Sequence, residues 1–531
     1  MASAPDVAAA SSSSAAAGVA SAAELDADQA AADPSPAPSL FDGMSVTEVL
    51  RALDQRDLAA RFIGMHGGDL RVVASTWWVW SPPVFDAAGD CVGGGHWVAA
   101  ESNRHAEHLA DRMLAELRLA AHARIDELSE MIDLDPRNTD ARQKRQELIS
   151  LTGRISNDAT TSAVVRIAKR DPTLAAAPQD FDADPYVLNC ASGTIDLRTG
   201  TLRPHCRDDM ITHRAPIAFD PKATCPTWLK VLDDVFCGDA ELIAWFHRAV
   251  GYSITGATNA QVLFFLFGSG SNGKSTVTNT LRDLLGPGLF QKVRAAALMA
   301  SANAGDAATP EVAKLRGARV ALASELPASR FDESTIKDIV GEDDITARFL
   351  NANPFTFTPS HKLWMYGNHR PSITGTDDGI WRRMKLIPFN ARFEGDAVLP
   401  DLPLRLAAEM PGILAWAVEG ALEWQRLGGG RRGLGHCTAV DDATAEYRVE
   451  TDPIGEFISE MCIVDPGREV RSREIYAAYR SWAKDSGHGA MSSTRFGRML
   501  EDRGFKSRRS NGILRTGIDL TSAARRHASP F

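Results

Sequence analysis

The stretch that most constrains this chain runs from Val262 to Leu285. Val262-Leu-Phe-Phe-Leu-Phe267 is six consecutive apolar residues, the pattern of a strand buried on both faces of a parallel sheet. Gly268-x4-Gly273-Lys274-Ser275 follows at once, and Thr276 to Leu285 has helical character. Strand, glycine loop and helix in this order are the context a phosphate-binding loop requires. Glycines let backbone N–H groups turn inward around a triphosphate, and the helix N-terminus adds a favourable dipole. The expected nucleotide-binding set is Gly268, Ser269, Gly270, Ser271, Asn272, Gly273, Lys274, Ser275 and Thr276. Lys274 is expected to reach the β/γ-phosphates of ATP, and the Ser275 hydroxyl to hold Mg²⁺. The bland alternative is a glycine-rich surface turn carrying an exposed lysine; both flanks argue against it.

Composition bounds the rest. At 531 residues, with 44% hydrophobic and 24% charged residues, the chain has the length of three or four domains and the make-up of a soluble globular protein. It holds no apolar run long enough to span a bilayer. Residues 1–43 lack the basic start and apolar core of a signal peptide, so a cytoplasmic protein, without a membrane, is expected. The seven cysteines are scattered without C-x2-C spacing, which favours reduced thiols over disulfides or a zinc site. The net charge of −10 hides an asymmetry: Arg468 to Phe531 carries 14 Lys+Arg against 6 Asp+Glu. A basic terminal module on an acidic protein points to nucleic acid, although basic tails also arise without it.

Taken in order, residues 1–43 are an Ala/Ser/Pro tail expected to be disordered. Residues 44–100 read as a small Trp-rich α+β unit, whose tryptophans serve either as a sheet core or as a base-stacking platform. Residues 101–175 read as a solvated helical connector because of their mixed charge. A module over 176–258 holds a hairpin at Gly193–Gly200 and helices around Trp228–Phe236 and Leu242–Tyr252. In the segment 259–427, Arg319–Glu325 and Lys362–Asn368 read as buried strands. Ser334–Gly341 reads as a helix, Ala347–Pro359 as a hairpin, and Ile380–Phe389 as another strand. Parallel strands separated by helices make an α/β nucleotide-binding sheet. Gly428–Gly433 reads as a flexible break. Residues 434–531 read as three helices and a short hairpin, an order that suits a basic winged-helix-like domain.

These motifs together resemble a superfamily 3 helicase of the AAA+ class, in the phage and plasmid primase-helicase branch. The resemblance rests on Phe181-Asp-Ala-Asp-Pro-Tyr-Val-Leu-Asn189, Gly193-Thr-Ile-Asp-Leu-Arg-Thr-Gly200, Arg248-Ala-Val-Gly-Tyr252 and the loop Ser271-Asn-Gly-Lys-Ser275. It continues through Ala323-Ser-Glu325, Gly341 to Arg348, Lys362-Leu-Trp-Met-Tyr-Gly-Asn-His-Arg-Pro371 and Gly379-Ile-Trp-Arg-Arg-Met384. It implies an α/β fold: an AAA+ P-loop ATPase core with a parallel sheet, preceded by a mixed α+β and helical region and followed by the winged-helix-like domain.

Within that frame Glu325 is the expected general base and Mg²⁺ second shell. Many relatives carry two acids there, whereas this chain has Ser324 before Glu325. Asn368 corresponds to the family's sensor asparagine. Arg382 and Arg383 are candidates for an arginine finger acting on a neighbouring subunit, with Arg382 slightly favoured. Such a finger implies a homo-oligomeric ring, a hexamer in the family. DNA contacts are expected from Arg348 and Lys362 near the hairpin, and from Arg495, Arg498, Lys506 and Arg508 in the C-terminal module. The hairpin tip Asn351-Ala-Asn353 lacks the cation that many relatives present. The expected function is an ATP-dependent DNA helicase in phage or plasmid replication, in a bacterial host's cytoplasm. It would act on single-stranded and forked DNA beside a separate primase or polymerase, because residues 45–175 are too short for a primase domain. The alternatives are a DNA-stimulated ring ATPase that loads or remodels a replication complex, and a regulatory protein using ATP only as a switch.

Overall fold

The computed structural model describes residues 45, 47–48, 54–87, 91–299, 310–324, 331–349, 353–368, 370–371, 373, 378–395, 399–450, 452–486, 490–510 and 512–528. The expected tail lies outside them. The chain divides into two compact units: residues 1–81 with 97–178, and residues 82–96 with 179–531.

In the first unit, Asp54 caps helix Gln55–His66 with a capping box, which satisfies the first free N–H groups. Strands Leu70–Val73 and Thr76–Ser81 form a hairpin, and His96–Ala99 completes a three-stranded sheet. Helices Arg104–Leu134, Thr139–Arg154 and Asp158–Ala168 share one core with that sheet, built on Phe62, Trp77, Leu114, Leu117, Leu148 and Val164. The expected solvated connector is therefore corrected. Its charges line the outer face, but every third or fourth residue is apolar and buried. Trp77 and Trp97 are each 1% exposed, so for these two the core reading holds over the stacking platform.

The second unit is organised around five parallel strands: β1 Leu263–Phe267, β2 Phe290–Val293, β3 Val320–Ser324, β4 Lys362–Gly367 and β5 Met384–Pro388, in the order β2-β3-β4-β1-β5. The central strand β1 is buried on both faces. Phe264 and Leu266 join one core with Trp245 and Trp364, while Leu263 and Phe265 join another with Met365 and Leu386, as a period of two requires. Strand β2 has no counterpart in the sequence reading: Gln291 and Lys292 interrupt it, and a four-residue edge strand leaves little pattern. A three-stranded antiparallel sheet (Val187–Cys190, Gly193–Asp196, Thr201–Arg203) and helices Pro226–Val235 and Ala240–Ile254 precede β1. The expected break at 428–433 is corrected in part, since Gly430–Leu434 is a short helix.

Helix Thr438–Glu450 packs on β5: Thr444 Oγ1 accepts from the Leu386 N–H, and Asp441 pairs with Lys385. Beyond it, helices Pro453–Met461, Ser472–Asp485 and Ser493–Asp502 surround Phe457, Tyr479, Trp482 and Phe496. Their sheet has the order Cys462–Arg471, Ile513–Leu520, Ser507–Arg509. The first of these strands hides in the sequence because Asp465-Pro-Gly-Arg468 reads as a turn. It occupies a register shift between Val464 and Glu469. Among the described residues, no helix is long and apolar enough to cross a membrane.

Candidate nucleotide-binding site

Strand β1 ends at Phe267, and its carboxyl end releases the loop Gly268–Gly273 into helix Lys274–Leu285. Two positions in this loop require glycine. A Cβ on Gly268 (φ +158°) would meet the Phe389 carbonyl oxygen at 2.2 Å, and one on Gly273 (φ +87°) would meet Val235 Cγ2 at 2.5 Å. The loop is pinned from outside by Asn272 Nδ2, which donates to the Phe389 carbonyl at 3.0 Å, and by the Phe393 N–H, which donates to the Ser271 carbonyl at 2.8 Å. Gly273 caps the helix without a side chain, which leaves its first N–H groups for an anion.

Lys274 is 5% exposed. Its ammonium donates to the carbonyls of Gly268 (2.8 Å) and Ser269 (3.2 Å) and to Oδ1 of Asn272 (2.9 Å) and Asn368 (3.3 Å). All four acceptors are neutral, and among the described residues no carboxylate pairs with it. Burial holds its pKa below the usual lysine value. A sequestered cation surrounded by such neutral dipoles suits an anion. Asn368, just after β4, reaches it because β4 lies beside β1 with Gly367 opposite Phe267. Residues 270–276 with Tyr366, Gly367 and Asn368 line a cleft of about 400 Å³. Exposed Ser275 stands in its wall. These residues fit a triphosphate, with Lys274 and the helix N-terminus opposing its charge and Ser275 available to Mg²⁺.

A second cleft, of about 750 Å³, shares Ser271, Gly273 and Thr276 with the loop and is walled by Val231, Val235, Phe393, Leu402, Leu406 and Met410. These apolar residues come from two stretches far apart in sequence, 231–235 and 393–410, so no local pattern announces them. Arg370 was also missed. Its guanidinium lies 4.2 Å from the Phe267 ring centroid and pairs with Glu450.

The remaining expected residues fall in different places. Glu325 and the hairpin tip residues 351–352 lie outside the described residues. Ser324, just before Glu325, is in register with Tyr366 in the cleft wall. Arg382 is exposed, whereas Arg383 is half-buried and donates to the Gly379 carbonyl at 2.7 Å. The Arg383 carbonyl accepts from the Leu263 N–H at the start of β1, so both arginines stand at the opposite end of that strand from its loop, roughly 13 Å away.

Lys362 is a correction. It is 2% exposed, and its ammonium donates to the carbonyls of Thr255 and Ser360 and lies 4.8 Å from the Tyr252 ring centroid. Burial, with Arg319 beside it, holds its pKa well below the usual lysine value. As the first residue of an interior strand it fastens the sheet, and its ammonium is not presented at the surface. Arg348 is exposed beside the hairpin Ile345–Ala347/Phe355–Phe357. Arg495, Arg498, Lys506 and Arg508 are exposed, Arg508 pairing with Glu469 at 2.7 Å. Arg498 shares a cleft of about 800 Å³ with Arg471, Arg473, Tyr476 and Arg515.

Comparison with known proteins finds similarity to proteins of large DNA viruses. Residues 59–237 match a family described as D5 N terminal like, residues 266–383 a family of unknown function (DUF5906), and residues 449–521 a family described as Poxvirus D5 protein-like. Among the relatives is a protein of Acanthamoeba polyphaga mimivirus, provisionally named helicase L207/L206. It is 26% identical over 331 residues, covering 58% of this chain and 34% of that protein. The provisionally named helicase 022R of Frog virus 3 is 26% identical over 392 residues, covering 59% and 40%. The provisionally named primase C962R of African swine fever virus is 23% identical over 355 residues, covering 62% and 36%. The chain thus spans between a third and two-fifths of the length of these relatives. The apo structure of the NrS-1 C terminal region aligns with a TM-score of 0.38 at 12% identity, covering 57% of this chain and 77% of that one. The chain carries D5-like segments on both sides of its parallel sheet, and its relatives in large DNA viruses bear helicase or primase names.

Proposed function

We propose that this chain is an ATP-dependent ring helicase acting on DNA during replication, a superfamily 3 member of the AAA+ class. The observation that carries the reading is the meeting of Lys274 and Asn368 at the carboxyl ends of adjacent parallel strands, over a cleft lined by the glycine loop. Crevices at strand carboxyl ends are where open α/β sheets bind nucleotides. ATP with Mg²⁺ supplies a transferable phosphoryl group whose charge the metal helps to neutralise. Lys274 and the loop N–H groups hold the phosphates, and Ser275 offers its hydroxyl to the metal. The apolar walls of the neighbouring cleft suit the base. Asn368 orients the attacking water, and Glu325 takes its proton.

Arg382 belongs to the next subunit's site. It stands a strand's length from its own loop and is exposed, while Arg383 is tied to Gly379. A finger placed there acts across an interface, which makes the working form a ring, a hexamer by the family resemblance. The C-terminal module, with its helices, three-stranded sheet and basic cleft around Tyr476, suits a winged-helix-like domain that docks on nucleic acid.

A second reading is a DNA-stimulated ring ATPase that loads or remodels a replication complex. The burial of Lys362 favours it, because that removes a cation from the hairpin region and leaves Arg348 as the nominated contact. A forked-duplex assay with ATP separates the two. Strand release that stops in Lys274→Ala supports the helicase; DNA-stimulated hydrolysis without strand release supports the loader. No DNA-stimulated hydrolysis at all contradicts both.

A further inference from the structure

A thiol, an imidazole, an amide and a guanidinium meet away from the nucleotide cleft. The hairpin Val84–Phe85/Cys91–Gly93 carries Cys91, strand Val187–Cys190 carries Asn189, and His205 and Arg214 follow strand Thr201–Arg203. His205 Nε2 lies 4.0 Å from Cys91 Sγ, and His205 Nδ1 lies 2.7 Å from Asn189 Oδ1. The asparagine amide has a fixed direction: Nδ2 donates to the Gly95 carbonyl at 2.6 Å, and Thr194 Oγ1 donates to Oδ1 at 3.4 Å. An amide oxygen only accepts, so His205 carries its proton on Nδ1 and turns the lone pair of Nε2 toward the sulfur.

The surroundings favour that arrangement. Arg214 Nη1 lies 3.3 Å from Sγ, placing a permanent positive charge beside it. The Gly93 carbonyl accepts from the Cys91 thiol at 3.1 Å. A Cβ on Gly95 (φ +76°) would come within 2.7 Å of His205 Nδ1, so glycine there makes room for the ring. Burial holds the His205 pKa below its ordinary value; hydrogen bonding to the Ala191 carbonyl opposes this, and Arg214 adds to it. The imidazole is therefore neutral and free to accept a proton. Cys91 is half-buried, whereas Cys237 is exposed.

We propose that Cys91 is a nucleophilic thiol site that reacts with small hydroperoxides, with His205 as its base, Asn189 orienting that base and Arg214 stabilising the thiolate. The thiol proton passes to Nε2 of His205, and Sγ attacks one peroxide oxygen with an electron pair. The O–O bond breaks, and the departing hydroxide (from hydrogen peroxide) or alkoxide (from an alkyl hydroperoxide) takes the proton from the imidazolium and leaves as water or alcohol. Sulfur loses two electrons to the peroxide and becomes a sulfenic acid, the first and reversible step of thiol oxidation. A nucleophile with a base, itself aligned by a third residue, is the general layout of an activated side chain.

The test uses the full chain at pH 7, hydrogen peroxide as reagent, dimedone to trap sulfenic acid, and mass mapping of all seven cysteines. Cys91 is expected to label at least ten-fold faster than exposed Cys237 in the folded protein, and at a similar rate after unfolding in urea. Arg214→Gln and His205→Gln, with circular dichroism confirming their fold, are expected to bring Cys91 down to the Cys237 rate, and Arg214→Lys to restore most of the difference. Native labelling of Cys91 at or below the Cys237 rate overturns the proposal even if neither variant folds. So does a folded His205→Gln protein that labels at the wild-type rate.

Discussion

The ammonium of Lys274 donates to Oδ1 of Asn368 at 3.3 Å, which ties the loop after β1 to the end of the neighbouring strand β4. The two residues are 94 positions apart, and only parallel pairing of β1 with β4 brings them to one cleft. They divide the work differently. Lys274 is buried at the head of the helix that follows the loop, while Asn368 is exposed at the rim.

Substitution should expose that division. Lys274→Ala is expected to abolish ATP binding and turnover together. Asn368→Ala is expected to leave the nucleotide dissociation constant within a few-fold of wild type and to lower turnover on the order of 10²–10³, as removal of a single transition-state donor does. Equilibrium binding of a fluorescent ATP analogue, set beside steady-state phosphate release, measures both. Equal losses of binding in the two variants would contradict the assignment.

The two arginines ahead of β5 should behave unlike each other. Arg382→Ala is expected to keep nucleotide binding and thermal stability while losing turnover. Arg383→Ala gives up the bond to the Gly379 carbonyl, and is expected to lower stability by about 1–2 kcal/mol and to reduce activity only in proportion to unfolded protein. Thermal melts beside hydrolysis rates distinguish them.

Much of this was readable in the chain because the informative features are local. The run Val262–Phe267, the glycine spacing and the strands ending near Ser324 and Asn368 all declare themselves within about ten residues. What escaped was long-range. The apolar wall of the second cleft draws Val235, Phe393 and Leu406 from two distant stretches, and Arg370 matters through Phe267 and Glu450. Lys362 misled for the same reason. A lysine at a strand start reads as exposed, until the Thr255 and Ser360 carbonyls close around it.

Lys362→Ala provides a check on that correction. Losing the two bonds and leaving a cavity is expected to cost about 2–4 kcal/mol of stability, while the DNA affinity of the folded protein stays unchanged. Arg498→Ala, by contrast, is expected to weaken DNA binding and flatten its salt dependence with no change in melting temperature. Fluorescence anisotropy across a salt series reads both.

Acid should destabilise the protein in a defined window. Burial, with Lys362 adding to it, pushes His361 down to about 4, whereas an unfolded histidine titrates near 6.5. The unfolded chain thus takes up a proton below pH ~6.5 that the folded chain refuses until about pH 4. Stability is held above that window and lost as pH falls through it, by up to about 1.4 kcal/mol per pH unit for one such group. Burial also lowers His66, His96, His105, His213 and His247, which steepens the loss. Urea midpoints between pH 7.5 and 4.5 should fall less steeply in His361→Leu than in wild type, and parallel curves would contradict the role given to His361.

The central claim is that one subunit's Lys274 and its neighbour's Arg382 complete a shared pocket, and subunit mixing tests it most directly. Lys274→Ala and Arg382→Ala proteins are each inactive alone on this account. Mixed in equal amounts with single-stranded DNA, they should recover ATP hydrolysis, because some interfaces then pair an intact loop with an intact arginine. If the mixture stays as inactive as its parts although mixed rings are seen by native mass spectrometry, the shared pocket does not exist.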